Sequence, residues 1–137
     1  MNWKKIITAT FIVYIVHEIL NFVIHAVILG PTYQAMTGVW RENMESLMWV
    51  MYLAEVVFIY FFVFIFARGY EGRGVMEGVR YGLIIASLTM IPGMFAQYVT
   101  FDISLNLTLM WIAFGYIQLV IDGIVASLIY KPAEAAK

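Results

Sequence analysis

Four apolar runs, at about 3–29, 46–67, 75–99 and 105–130, leave this chain of 137 residues few ways to fold. Each can cross ~30 Å of hydrocarbon as a helix rising about 1.5 Å per residue. A backbone in lipid has no water to bond to, so a crossing segment must satisfy its own amides and carbonyls, as an α-helix does. Strand-length alternation is absent, which speaks against a β-barrel. The expected fold class is therefore all-α, a four-helix transmembrane bundle forming one domain over 1–131, with 132–137 as a short disordered tail. Composition agrees: 64% of residues are hydrophobic and 12% charged, against about 45–50% and 25% in soluble domains.

Breakers stand between the runs. Gly30-Pro31 ends the first, "RGYEGRG" follows the second, and Lys131-Pro132 closes the fourth. Pro92-Gly93 predicts a kink in the third. The first run is too long for a signal-peptide core, carries polar residues and lacks a small-x-small cleavage site, so it is expected to be a retained span.

Basic residues set an orientation. Lys4, Lys5, Arg68, Arg73, Arg80, Lys131 and Lys137, seven of the eight, fall on one side of four crossings, and Arg41 falls on the other. The positive-inside rule then puts both termini and the 68–80 loop in the cytoplasm. Trp3, Tyr70, Tyr81 and Tyr130 would form the inner aromatic belt, and Tyr33, Trp40, Trp49, Tyr98 and Phe101 the outer one. The stretch 32–45 is expected along the outer interface.

Several function classes drop out. A net charge of −1 offers no basic field for nucleic acid, and the absence of cysteine removes thiolate chemistry. Ser87, Ser104 and Ser127 sit on other faces or depths from either histidine, so no serine nucleophile is suggested. "GYEGRG" lacks the Lys and Ser/Thr of a phosphate loop; it reads as a turn with solvated pairs, Glu71 with Arg73 and Glu77 with Arg80. No catalytic residue is assigned, and a non-enzymatic role is favoured.

Gly74, Gly78, Gly82 and Ala86 recur every four residues, continued by Thr89, Gly93 and Ala96. A small-residue face lets membrane helices approach closely, so these positions are assigned to helix packing. The aromatic run Phe58–Phe66 reads as lipid contact and core filling.

The polar residues within the spans are the informative part. At about 100° per residue, Thr10, Tyr14, His17, Glu18, Asn21 and His25 share an arc of about 100° on the first span. Thr108, Trp111, Gly115, Gln118 and Asp122 share one face of the fourth. The second span contributes Glu55, and the third Thr89 and Gln97. Estimated depths put His17, Glu18, Glu55 and Gln118 near the midplane, His25 and Gln97 toward the outside, and Asp122 toward the cytoplasm. The expectation is a broken line across the membrane rather than one knot.

A charge at mid-helix costs about 2.5–3.5 kcal/mol on the mildest scale, so such groups keep their protons or find a cationic partner. Lys and Arg sit only at the span ends, leaving His17, His25, a proton or a metal ion. The leading reading is proton or cation handling, or small-solute transport, along a track of His17, Glu18, Asn21, His25, Glu55, Gln118 and Asp122. A second is a structural or accessory subunit, in a homo-oligomer or a larger membrane complex, whose polar residues fix helix packing. A third is a metal-binding membrane enzyme, with His17, Glu18, His25 and Glu55 as candidate ligands. No cofactor is assigned. His17 and His25, ~12 Å apart along one helix, cannot reach one metal unaided, and no Glu-x-x-His pair of a di-metal bundle is present.

"GYEGRGVMEGVRYGLIIASL", from Gly69, and "LIYKP", from Leu128, resemble small four-span bacterial inner-membrane proteins of uncharacterised activity. The likeness covers mainly the third span and its preceding loop. It implies architecture and location, and no chemistry.

Overall fold

The computed structural model describes residues 1–131; the expected tail at 132–137 lies outside the described residues. The chain is all-helical there. Helix α1 (Trp3–Asn21) continues as a π-helix (Phe22–Ile28), followed by the short α2 (Gly30–Gln34), α3 (Met44–Arg68), α4 (Val75–Thr100) and α5 (Leu105–Ile129). Four of these stretches are long and apolar enough to cross a bilayer, which makes this a multi-pass membrane protein.

Local chemistry sets the ends. Asn2 Oδ1 accepts from the Lys5 amide at 3.2 Å and Ser104 Oγ from the Leu107 amide at 3.2 Å, each capping the helix it precedes. Pro31 sits in the first turn of α2, so Gly30-Pro31 starts a new helix as well as ending the old one. Helix α4 runs through Pro92 as one unbroken element. The π-helix is a departure from expectation: the Leu29 amide bonds to the Ile24 carbonyl, an i→i−5 step, at 2.9 Å. The wider turn rotates each residue by less than the α-helical angle.

In cross-section α1 lies between α3 and α5, and α4 packs on α5. The start of α1 and the end of α5 lie at one end of the bundle, where Met1 and Tyr130 line the same cavity. Most of the buried apolar core lies in that half: Ile6, Ala9 and Val13 of α1, Ile59, Phe62, Val63 and Phe66 of α3, and Leu119 and Ala126 of α5. Tyr81 closes the ring of helices there, its hydroxyl donating to the Phe62 carbonyl at 2.5 Å and its ring edge-on to Phe62 and Phe66.

Gly78 and Gly82 meet α5 backbone to backbone. A Cβ on Gly78 would overlap the Gly123 carbonyl, and one on Gly82 the Leu119 carbonyl. Ala86 is fully buried on the same face. Gly74, assigned to this face, is not on it: it precedes α4 at a φ of +68°, with nothing within 4 Å of where a Cβ would be. Its job is a left-handed turn that other residues resist. Gly93, placed on the same stripe, also has open space beside it.

Candidate functional site

The polar stripes of α1 and α5 face one another. Moving one turn up α1, from His17 to Asn21, matches moving one turn back along α5, from Asp122 to Gln118, as antiparallel neighbours require. His17 Nδ1 lies 2.7 Å from Asp122 Oδ2. Asp122 has no exposed surface and His17 only 7%. The Gln118 amide nitrogen donates to the His17 carbonyl at 3.1 Å and to Asn21 Oδ1 at 2.9 Å. Asn21 Nδ2 in turn donates to Glu55 Oε1 of α3 at 3.1 Å.

The result is one connected set across three helices: Asp122, His17, Gln118, Asn21 and Glu55. The broken line drawn from estimated depth is corrected on this point. Depth along each helix was a one-dimensional guess, while the packing of α1 between α3 and α5 brings neighbouring turns of all three together. Donors and acceptors run consistently from Gln118 through Asn21 to the Glu55 carboxyl. Asp122 Oδ1, Glu55 Oε2, Glu18 Oε1 and Thr10 Oγ1 are enclosed and have no hydrogen-bond partner among the described residues. The Glu18 carboxyl adjoins that of Glu55 and the Tyr14 phenol, on the α3 side of α1. Phe58 packs near the His17 ring, their centroids 6.4 Å apart.

His25 stands apart from this set. It lies on the π-helix, two turns further along the span. Its Nδ1 is 2.6 Å from the Tyr33 hydroxyl, which also accepts from Trp111 Nε1 at 2.7 Å. Trp40 Nε1 donates to the Tyr33 carbonyl at 3.2 Å. Indole nitrogen can only donate. The Tyr33 oxygen therefore takes the Trp111 proton and is free to give its own to His25. Burial raises the Tyr33 phenol above its ordinary 10.0, and the Trp111 hydrogen bond pulls it partly back. Tyr33 was read from sequence only as a belt residue; the presence of Trp111 on the polar stripe of the fourth span was the available hint that something polar faced it.

The loop before α4 also differs from expectation. Arg73 pairs with Glu71 at 2.8 Å, but Arg80 also turns to Glu71, at 3.8 Å. Glu77 is buried and folds back to accept from the amides of Glu71 at 2.6 Å and Arg73 at 2.8 Å. Those free amides lie in a turn bounded by positive-φ glycines, Gly72 and Gly74, and a carboxylate is the natural acceptor for them.

The candidate metal ligands do not converge. His17 is engaged by Asp122 and His25 by Tyr33, and among the described residues no three His, Cys, Asp or Glu side chains form a ligand cluster. No family model, curated protein or solved structure matches the chain.

Chemically, the network holds titratable groups in two places, His17 with Asp122 and Glu18 with Glu55. Gln118 and Asn21 connect them. Those two side chains orient their neighbours without titrating. The arrangement offers two buried places where a proton can reside, linked through the His17 backbone carbonyl rather than its ring.

Proposed function

We propose that this is a bacterial inner-membrane protein, both termini cytoplasmic, that handles protons or cations at the buried His17–Asp122 and Glu18–Glu55 sites, with small-solute transport as the broader class. The carrying observation is the network joining Asp122 to Glu55, with an enclosed, unpartnered carboxyl oxygen on each of Asp122, Glu55 and Glu18. Ionisable groups at membrane depth are expensive and tend to mark ion or proton paths. Lys and Arg are absent from the level of the network, so His17, a proton or a transported cation is the available partner for these carboxyls. The distribution of basic residues and the likeness of the third span to four-span inner-membrane proteins support the location and orientation.

Purified protein in liposomes should carry protons or a monovalent cation, and Glu55→Gln and Asp122→Asn should each abolish that flux while the helical content stays. Wild-type vesicles that carry none, or variants that carry as much as wild type, remove this reading. A second reading has one observation in its favour: Gln118 and Asn21 spend their hydrogen bonds on fixing helix register. A structural or accessory subunit would use them that way, and would purify as a defined oligomer or with a partner.

A further inference from the structure

Where α1 begins and α5 ends, away from the polar network, an open cavity of about 390 Å³ is lined by Met1, Ala67, Arg68, Tyr70 and Tyr130. Two of these residues have unmet chemistry. Tyr130 is 1% exposed, its ring held edge-on by Tyr70 and Phe66. A tyrosine this buried usually gives its hydroxyl a partner, yet this hydroxyl bonds to nothing among the described residues, and Tyr130 lines the cavity. Arg68, in the last turn of α3, has no carboxylate within ion-pair distance among the described residues, where the arginine–carboxylate pairs are Arg73–Glu71 and Arg80–Glu71. The guanidinium fork and a phenol hydroxyl together suit a phosphate oxygen.

We propose that Arg68 and the Tyr130 hydroxyl bind the phosphate of an acidic phospholipid headgroup in this cavity. The position selects a lipid: Arg68 ends a membrane-spanning helix, at the level where headgroups lie, and the wall includes apolar Met1 and Ala67. The surroundings select an acidic one. Lys4, Lys5 and Lys131 lie at the same end and, among the described residues, have no ion-pair partner, so a choline or ethanolamine cation would be repelled where a net negative headgroup is drawn in.

The test uses the full chain in nanodiscs of mixed phosphatidylglycerol and phosphatidylcholine, released into detergent, with the co-retained lipid counted by native mass spectrometry. Wild type should retain phosphatidylglycerol preferentially. Tyr130→Phe keeps the ring and removes only the hydroxyl, and should lower that enrichment about threefold, as expected for one lost hydrogen bond. Arg68→Ala should lower it at least as much, while Lys4→Ala, the same charge change outside the cavity lining, should lower it clearly less. Enrichment unchanged in Tyr130→Phe overturns the proposal. So does an equal fall in Lys4→Ala, which means a diffuse positive surface. Displacement of the lipid by inorganic phosphate at modest concentration reassigns the cavity to a free anion and overturns the lipid assignment. If Arg68→Ala does not fold, Tyr130→Phe decides alone.

Discussion

Near Gly78 and Gly82, α4 touches α5 backbone to backbone; a turn or two further along, at Gly115, the space between the same two helices is filled by the Met90 side chain; at Gly93 nothing lies within reach. The two helices thus meet tightly in the half holding the start of α4 and less closely in the other. In that other half, no residue of α3 from Met44 to Phe58 or of α4 from Ser87 to Thr100 is buried, and Val99 is 84% exposed. Water does not push membrane helices together, so closeness depends on small residues and on polar bonds. The tight half uses the first device. The opposite half uses the second, with His25, Trp40 and Trp111 all meeting at Tyr33.

That contrast can be broken by substitution. Gly78→Leu should have the largest effect, since its side chain must displace the Gly123 backbone; a loss of about 3 kcal/mol or more is expected in detergent unfolding. Gly93→Leu should cost little. Equal losses at the two positions mean the halves do not differ in packing. Asp122→Ala comes next, because it leaves His17 buried opposite nothing; breaking a buried pair costs about 3–5 kcal/mol, and a loss below about 1 kcal/mol shows that the pair adds little net stability.

Tyr33→Phe should cost about 1 kcal/mol, felt on one side only. Hydrogen exchange should speed up through 25–40 and leave 59–67 protected; uniform acceleration would mean the two halves unfold as one. The smallest effect concerns pH. A phenol whose value rises on folding contributes stability that is complete below its unfolded value of 10.0 and is lost as pH climbs through the raised folded value. The difference between wild type and Tyr33→Phe in an alkaline absorbance titration should therefore show one phenol ionising above 10.0. Ionisation at or below that value would put Tyr33 in water.

The same contrast explains what could be read ahead of the fold. The span positions were legible to within one or two residues, apart from the π-turn, because they depend on local apolarity and on breakers such as Gly69 and Lys131-Pro132. The stripe holding His17 and Asn21 was legible because α1 is a regular helix there. His25 meets the Trp111 stripe of α5 through Tyr33, but the i→i−5 segment that carries it was announced by no residue pattern. Gly74 and Gly78 look alike in a four-residue repeat, yet one precedes the helix start and the other lies inside it.

By itself, then, the amino-acid order determined that this chain crosses a membrane as four helices and that two of them carry polar faces, since both follow from the cost of stranding polar groups in hydrocarbon. Only the tertiary structure decided that Asp122 meets His17, that Asn21 bridges Gln118 to Glu55, and that His25 turns to Tyr33. Helical periodicity says which residues share a face; which faces meet, and at what depth, is set by how closely the backbones can approach, and that is decided where Gly78 and Gly82 meet α5.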